Sequence, residues 1–160
     1  MQYVALLRGI NVGGNNKVAM SDLKKVCESL GFTEVRTYIN SGNVIFSSPK
    51  KTNAALAATL EKAMHKAFGF PIRTVVRDAV EIQKLAKVLP DEWTNDTEQR
   101  TDVLFLWDAY DSKKTLSLIK QNPTVDLLRY TPGAIVWHVE RKNYSKSGMH
   151  DFIGTDVYKH

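Results

Sequence analysis

Cysteine is nearly absent from this sequence: Cys27 is the only one among 160 residues. A single cysteine excludes an internal disulfide framework, and it cannot build a thiolate metal site alone. Its place on an apolar helix face predicts a buried core thiol. No apolar run approaches the roughly 18 residues that a membrane span needs, and the opening MQYVALLRG lacks the features of a secretory signal. We therefore expect a cytoplasmic protein without a membrane partner.

Acidic side chains are scarce in the first half of the chain. Residues 1 to 80 carry 11 basic and 5 acidic side chains, a net charge of +6, whereas residues 81 to 160 carry 11 and 12, a net charge of −1. A positive surface would attract an anionic partner, although an ordinary solvated surface explains an excess of this size equally well. Charge alone therefore does not decide the partner.

Apolar periodicity divides the first half into strands and helices. It predicts a strand over 3–10, a helix that Ser21 caps and Gly31 ends, a hairpin turning at Ser41-Gly42, a helix over 53–68 and a strand in IRTVVR. This βαββαβ order is that of a ferredoxin-like split βαβ unit. In that arrangement the first and third strands are antiparallel neighbours at the centre of the sheet.

The second half repeats part of the pattern. After a capping box at Asp78 and Glu81, the polar segment DEWTNDTEQR reads as a linker. A strand, a short helix from Ser112 and a hairpin turning at Pro132-Gly133 follow. We predict an α+β protein of two tandem ferredoxin-like halves with antiparallel sheets: residues 1–90, a linker at 91–101, and a shorter half at 102–160.

Two structural expectations follow from this division. The segment from Val4 to Val76 should match the one from Val103 onward as a diverged duplication of β-α-β-β. Six apolar residues should be buried: Leu6, Val26, Leu30, Ile45, Leu60 and Leu104.

The stretch RGINVGGNNK, residues 8–17 and hereafter the first loop, is rich in glycine and asparagine. Gly9 and Gly14 have P-loop spacing, but Asn15 and Asn16 stand where that motif needs lysine and a hydroxyl. The G-x-G-x-x-G spacing of a dinucleotide site fails outright. Two explanations stay open: the glycines expose backbone donors to an anion flanked by basic side chains, or they only permit a turn.

Other candidate sites in the sequence have weaker support. None of the four histidines has metal-ligand spacing, so we predict no metal and no cofactor. The segment R-K-N-Y-S-K places Arg141, Tyr144 and Lys146 where they could contact a nucleic acid, although a solvated loop explains them as well. The third strand lacks the pattern of an RNA-recognition module, so sequence-specific RNA reading is not expected.

Three stretches of the chain are distinctive: RGINVGG, YINSGNVIF and the closing IGTDVYKH. Through them the chain resembles the uncharacterised bacterial family called domain of unknown function 1697 (DUF1697). The resemblance implies two ferredoxin-like halves and no known reaction. Family members continue past this closing motif into a final helix, whereas this sequence stops at His160, so we expect a truncated or naturally shortened chain. The family's polar signature falls on Arg8, Asn11, Gly13, Gly14, Asn40, Ser41, Gly42 and Asn43.

Pairing of the first and third strands should bring the first loop beside the hairpin turn. Arg8, Asn11 and Lys17 would then lie near Asn40 and Asn43, and we predict that they form one concave patch that accepts a phosphate-bearing small molecule or the backbone of a nucleic acid. The alternatives are an enzyme of unknown reaction with its polar site in the same place, or a structural or protein-interaction module. No catalytic acid or base stands within either motif.

Overall fold

A computed structural model describes residues 1–152, Thr155 and Tyr158 of the chain. The rest of the closing IGTDVYKH motif lies outside the described residues. The chain forms two compact units, Met1–Ile82 and Gln83–His160. Among the described residues, no helix combines the length and the apolar character that crossing a membrane requires.

The first unit contains a four-stranded sheet and two helices. Its elements are β1 (Gln2–Leu7), α1 (Met20–Ser29), β2 (Thr33–Tyr38), β3 (Asn43–Ser47), α2 (Asn53–Phe68) and β4 (Thr74–Asp78). The strand order is β2-β3-β1-β4, and every neighbouring pair is antiparallel. The sequence predicted this element order and the central β1–β3 pair.

The core of the first unit lies between the two helices and one face of the sheet. The sheet contributes alternate residues of β1 and β3, and the helices contribute their apolar faces: Tyr3, Ala5, Val44, Phe46, Leu23, Cys27, Leu56, Leu60 and Met64. Burying a large apolar side chain completely stabilises the fold by about 1.5–3 kcal/mol. The opposite face of this sheet carries the other alternate residues; it is more exposed at β1 and β3, whereas Val75 and Arg77 of β4 are buried there too.

Burial agrees with prediction at Leu60, which is fully buried, and disagrees at Ile45, which is 40% exposed. The prediction for Ile45 is wrong because successive residues of a strand point to opposite faces, and Val44 and Phe46 occupy the core face. The remaining four predicted residues, Leu6, Val26, Leu30 and Leu104, are only partly buried.

The second unit has a three-stranded antiparallel sheet in the order β5-β7-β6. Its strands are β5 (Gln99–Phe105), β6 (Leu127–Thr131) and β7 (Ala134–Glu140), and a short helix, α4, covers Met149–Phe152. The predicted helix after Ser112 is instead a 3-10 helix over Lys113–Leu118, which the Ser112 hydroxyl caps by accepting a bond from the Lys114 N–H at 3.2 Å. The predicted α+β class with antiparallel sheets is confirmed.

The boundary between the units lies inside α3 (Ala79–Val88), earlier than the predicted boundary at residue 90. The capping box is confirmed, since the Asp78 and Glu81 carboxylates each accept the other's backbone N–H at 2.8 Å. Further along, Leu85, Leu89 and Trp93 pack with Ala134 and Val136 of the second sheet. This packing draws most of α3 into the second unit.

The two sheets share a pairing pattern at the end of their first strands. In the first unit, the Leu7 N–H donates to the carbonyl of the turn residue Gly42 at 3.0 Å. In the second, the Leu106 N–H donates to the carbonyl of Gly133 at 2.9 Å. Both turn glycines have positive φ, 88° and 87°.

The Cys27 thiol supplies a first prediction. Burial, with a smaller contribution from the charge of Glu28, raises its pKa to about 12. We expect no reaction with a disulfide reagent at pH 8 in the native protein and full reaction in denaturant. Because the folded-state pKa is raised, the protonated thiol contributes to the free energy of unfolding. This contribution is complete below the ordinary thiol pKa and is lost as the pH rises toward 12. Rapid labelling of the native protein would contradict the buried position.

Gly42 supplies a second prediction. A Cβ added there would lie 2.5 Å from Cδ1 of Ile10, and the backbone has positive φ. Gly69 also has positive φ, 82°, but a Cβ there would meet nothing within 4 Å. Urea denaturation should show that Gly69→Ala costs about 1–2 kcal/mol from backbone strain alone. Gly42→Ala should cost more, because the clash adds to the strain; equal costs would contradict the close approach of Ile10.

Candidate functional site

Gly13 and Gly14 form the centre of a tight turn in the first loop. Val12 and Asn15 pair across it as an isolated antiparallel bridge, and the Asn15 N–H donates to the Val12 carbonyl at 3.1 Å. The two glycines have φ of 60° and 79°. Two-residue hairpin turns with positive φ at both central positions favour glycine. A turn therefore accounts for these glycines without any ligand.

The Asn11 side chain ties three segments together. Its Nδ2 donates to the carbonyls of Val18 at 2.9 Å and Asn40 at 2.8 Å, and its Oδ1 accepts the Val18 N–H at 2.8 Å. Its φ of 55° is left-handed, a conformation that asparagine tolerates better than most residues. Asn11 therefore holds the approach to α1 and the β2–β3 hairpin against the first loop.

Two further asparagines in these motifs also bond to backbone. Asn16 Nδ2 donates to the Gly9 carbonyl at 2.9 Å, and Asn43 Nδ2 donates to the Tyr38 carbonyl at 3.2 Å. By contrast, no described residue hydrogen-bonds to the side chain of Asn40, which stays available to a ligand.

Helix α1 begins without a side-chain cap. The predicted cap, Ser21, lies inside the first turn, and the N-cap position is Ala19, which has no side chain that can accept a bond. Ser21 is displaced because Asn11 fixes Val18, and the chain turns into the helix directly after it. Within the described chain, nothing accepts a hydrogen bond from the N–H of Met20 or Ser21. These donors face water or a ligand.

A groove of about 450 Å³ opens where these features meet, and we call it the first-loop groove. It is lined by Asn11, Gly14, Lys17, Val18, Ala19, Met20 and Asn40. Lys17 is exposed and forms no ion pair with any described residue. Asp22, in the first turn of α1, pairs instead with Lys25 at 3.2 Å. The groove thus combines a lysine, an unbonded amide side chain and free helix N–H groups.

The predicted ligand-binding residues divide into two groups. Asn11, Gly14, Lys17 and Asn40 line the groove. The others do not line it: Arg8, Gly13, Ser41, Gly42 and Asn43. Arg8 is partly buried, and its backbone N–H donates to the Arg73 carbonyl at 2.9 Å. Lys17, rather than Arg8, is therefore the cation of the groove.

The lining of the groove consists of hydrogen-bonding groups, apolar side chains and one cation. Its lining contains no carboxylate, histidine or thiol, and Lys17 is its one titratable side chain. No group of three or more histidine, cysteine or acidic residues within the described ranges could hold a metal ion. The arrangement can orient an anion through its donors.

The residues predicted to contact a nucleic acid lie in the second unit, in the 3-10 helix Arg141–Lys146. Arg141 donates to the Asp96 carbonyl and, at 2.8 Å, to Asn95 Oδ1. The guanidinium of Arg100 lies 4.6 Å from the centre of the Tyr144 ring. Arg141 and Tyr144 are thus engaged in local packing, whereas Lys146 is exposed and lines a second groove.

That second groove, of about 480 Å³, was not predicted from the sequence. Lys120, Lys146 and His150 line it, and Lys120 pairs with Asp151 at 2.8 Å. Beside it lies Asp126, which accepts bonds from Trp137 Nε1, Ser147 Oγ and the N–H groups of Asn122 and Gly148.

Burial opposes the charged form of Asp126, but these hydrogen bonds outweigh it and lower its pKa. A carboxylate so fully engaged is a structural anchor. The indole N–H of the fully buried Trp137 requires a hydrogen-bond acceptor. This requirement was the one signal in the sequence that pointed to a residue such as Asp126.

The Asn11 contacts lead to a third prediction. Asn11→Ala should lower the free energy of unfolding by about 1–3 kcal/mol in urea denaturation, because it leaves partly buried partners unsatisfied and places alanine at positive φ. Asn15→Ala is the matched control, since the Asn15 side chain is exposed and bonds to no described residue. That control should change stability by less than about 0.5 kcal/mol. Equal losses of stability in the two variants would show that the Asn11 side chain does not hold these segments together.

Comparison with known proteins agrees with the resemblance seen in the sequence. A solved structure described as "conserved bacterial protein SP0830 from Streptococcus pneumoniae" is similar, with a TM-score of 0.83 and 29% identity, over 99% of this chain and 89% of that chain. No match was found among curated proteins. A family model described as "Protein of unknown function (DUF1697)" matches residues 1–135. The chain therefore belongs to the DUF1697 family.

Proposed function

We propose that this chain binds a phosphate-bearing anionic ligand in the first-loop groove. The observation that carries the proposal is an exposed lysine, Lys17, without an ion-pair partner among the described residues, in a groove at the uncapped start of α1. Phosphate groups bind at helix N-termini because the N–H groups point outward and the helix dipole favours negative charge.

Each element of the groove has a separate role in this proposal. Lys17 supplies the charge, the Met20 N–H and the neighbouring Ser21 N–H at the start of α1 supply directed donors, and the Asn40 amide supplies a donor or an acceptor. Asn11 acts indirectly, because its bond to the Asn40 carbonyl holds that residue beside the groove.

The expected affinity is modest. The dipole contributes about 0.3–1 kcal/mol, and each charge-assisted hydrogen bond contributes about 1.5–3 kcal/mol. Two such contacts at the lower end of this range, together with the dipole, total about 4 kcal/mol, which corresponds to a dissociation constant on the order of 1 mM. An affinity in this range is best measured by NMR titration.

We further infer that the two units are diverged ferredoxin-like copies. The β1–β3–β2 order of the first unit corresponds to the β5–β7–β6 order of the second. The equivalent bonds from Leu7 to Gly42 and from Leu106 to Gly133 support the same alignment. The loops that follow the first strands differ: Asp111 Oδ1 accepts the Gly133 N–H at 2.8 Å in the second unit, where Asn11 holds the hairpin in the first. The proposed ligand site belongs to the first copy.

A titration of the ¹⁵N-labelled protein with ribose 5-phosphate tests the binding proposal. We expect saturating shifts of the backbone amides of Gly14, Lys17, Met20 and Ser21, and we expect them to weaken as salt is added. Lys17→Ala should weaken binding by about 5-fold or more, the equivalent of roughly 1 kcal/mol.

Lys50→Ala is the matched control, because it removes the same charge from an exposed lysine of the first unit that does not line the groove. It should bind like the wild type. The proposal fails if these amides do not shift at about 10 mM ligand, or if the Lys17→Ala and Lys50→Ala proteins bind equally well.

A further inference from the structure

Tyr38 presents an exposed aromatic ring on the more open face of the first sheet. It ends β2, is 66% exposed and pairs in register with Asn43. No described residue stacks on its ring or bonds to its hydroxyl. A large aromatic ring left in water without a partner costs hydrophobic free energy, and aromatic side chains are common anchors of binding sites.

The residues around Tyr38 suit a flat ligand with negative charge. Ile45, on the same face, is diagonally across from Tyr38 and is 40% exposed. Arg36 is exposed two residues before Tyr38 and forms no ion pair with a described residue. An aromatic ring with a neighbouring guanidinium is typical of surfaces that stack a nucleobase and contact a phosphate.

Tyr38 also lies close to the first-loop groove along the chain. Only Ile39 separates it from the groove residue Asn40, so their Cα atoms are at most about 7 Å apart. The carbonyls of both residues are held, that of Tyr38 by Asn43 and that of Asn40 by Asn11. The two surfaces are therefore fixed to the same short segment of backbone.

We propose that the ligand is a nucleotide, with its phosphate in the first-loop groove beside Lys17 and its base stacked on Tyr38. This inference rests on the proposed function, to which it adds the base. A free mononucleotide and a single-stranded nucleic acid share this chemistry. In a strand, Arg36 would contact the phosphate of a neighbouring nucleotide.

The experiment compares three ligands by NMR titration at low salt: ribose 5-phosphate, adenosine 5′-monophosphate and a single-stranded oligothymidylate of four nucleotides. In the wild type, the mononucleotide should bind roughly 5- to 150-fold more tightly than ribose 5-phosphate, the effect expected of one base–aromatic stack. Tyr38→Ala should abolish that gain while leaving the affinity for ribose 5-phosphate unchanged. Tyr38→Phe, which keeps the ring, should retain it.

Because Tyr38 is largely exposed, Tyr38→Ala should fold, and circular dichroism checks this. Only the nucleotide inference is overturned if ribose 5-phosphate shifts the groove amides but the mononucleotide binds no more tightly. The same holds if Tyr38→Ala leaves the affinity for the mononucleotide unchanged. If no ligand shifts those amides, both proposals are overturned. Tighter binding of the oligonucleotide that Arg36→Ala reduces supports a single-stranded nucleic acid, and equal affinities support a free nucleotide.

Discussion

The antiparallel pairing of β1 with β3 is the constraint on which the first unit depends. It places Leu6 opposite Asn43, so that the chain leaving β1 passes the hairpin that enters β3. The bond from Leu7 to Gly42 fixes this register, and the Asn11 side chain then joins the first loop to Asn40. Without that pairing, the groove would not exist.

Comparison of the two units separates what the architecture requires from what a ligand would require. Each unit needs a group that holds the turn of its hairpin, and a side chain from the loop after the first strand meets that need in both, Asn11 in one and Asp111 in the other. Only the first unit adds Lys17 and an uncapped α-helix at this place. The central strands also differ, because β3 alternates between buried and more exposed residues, whereas β7 is buried over six successive residues.

Much of the first unit could be predicted because it follows from periodicity and topology. The helix over 53–68 has strong apolar spacing with a glycine stop, and the meeting of the first loop with the hairpin follows from strand order alone. The face of Ile45 could not be assigned, since Val44, Ile45 and Phe46 are all apolar and strand alternation fits either choice.

The groove itself depends on details that carry no periodic signal. Four residues of the first loop other than Gly9 have positive φ, so side-chain directions do not follow from spacing, and Lys17 could not be distinguished from Arg8. The start of α1 depends on a tertiary contact, the bond between Asn11 and Val18, which overrides the capping preference of Ser21.

The missing cap of α1 has an energetic consequence. A helix whose first N–H groups lack a protein acceptor has its weakest turn at that end, and a bound anion would serve as the absent cap. Occupancy of the groove and order in the first turn of the helix would then be linked equilibria, so the ligand would stabilise the folded unit by mass action as its concentration rises above its dissociation constant. The extent to which this first helical turn frays would therefore depend on the ligand concentration.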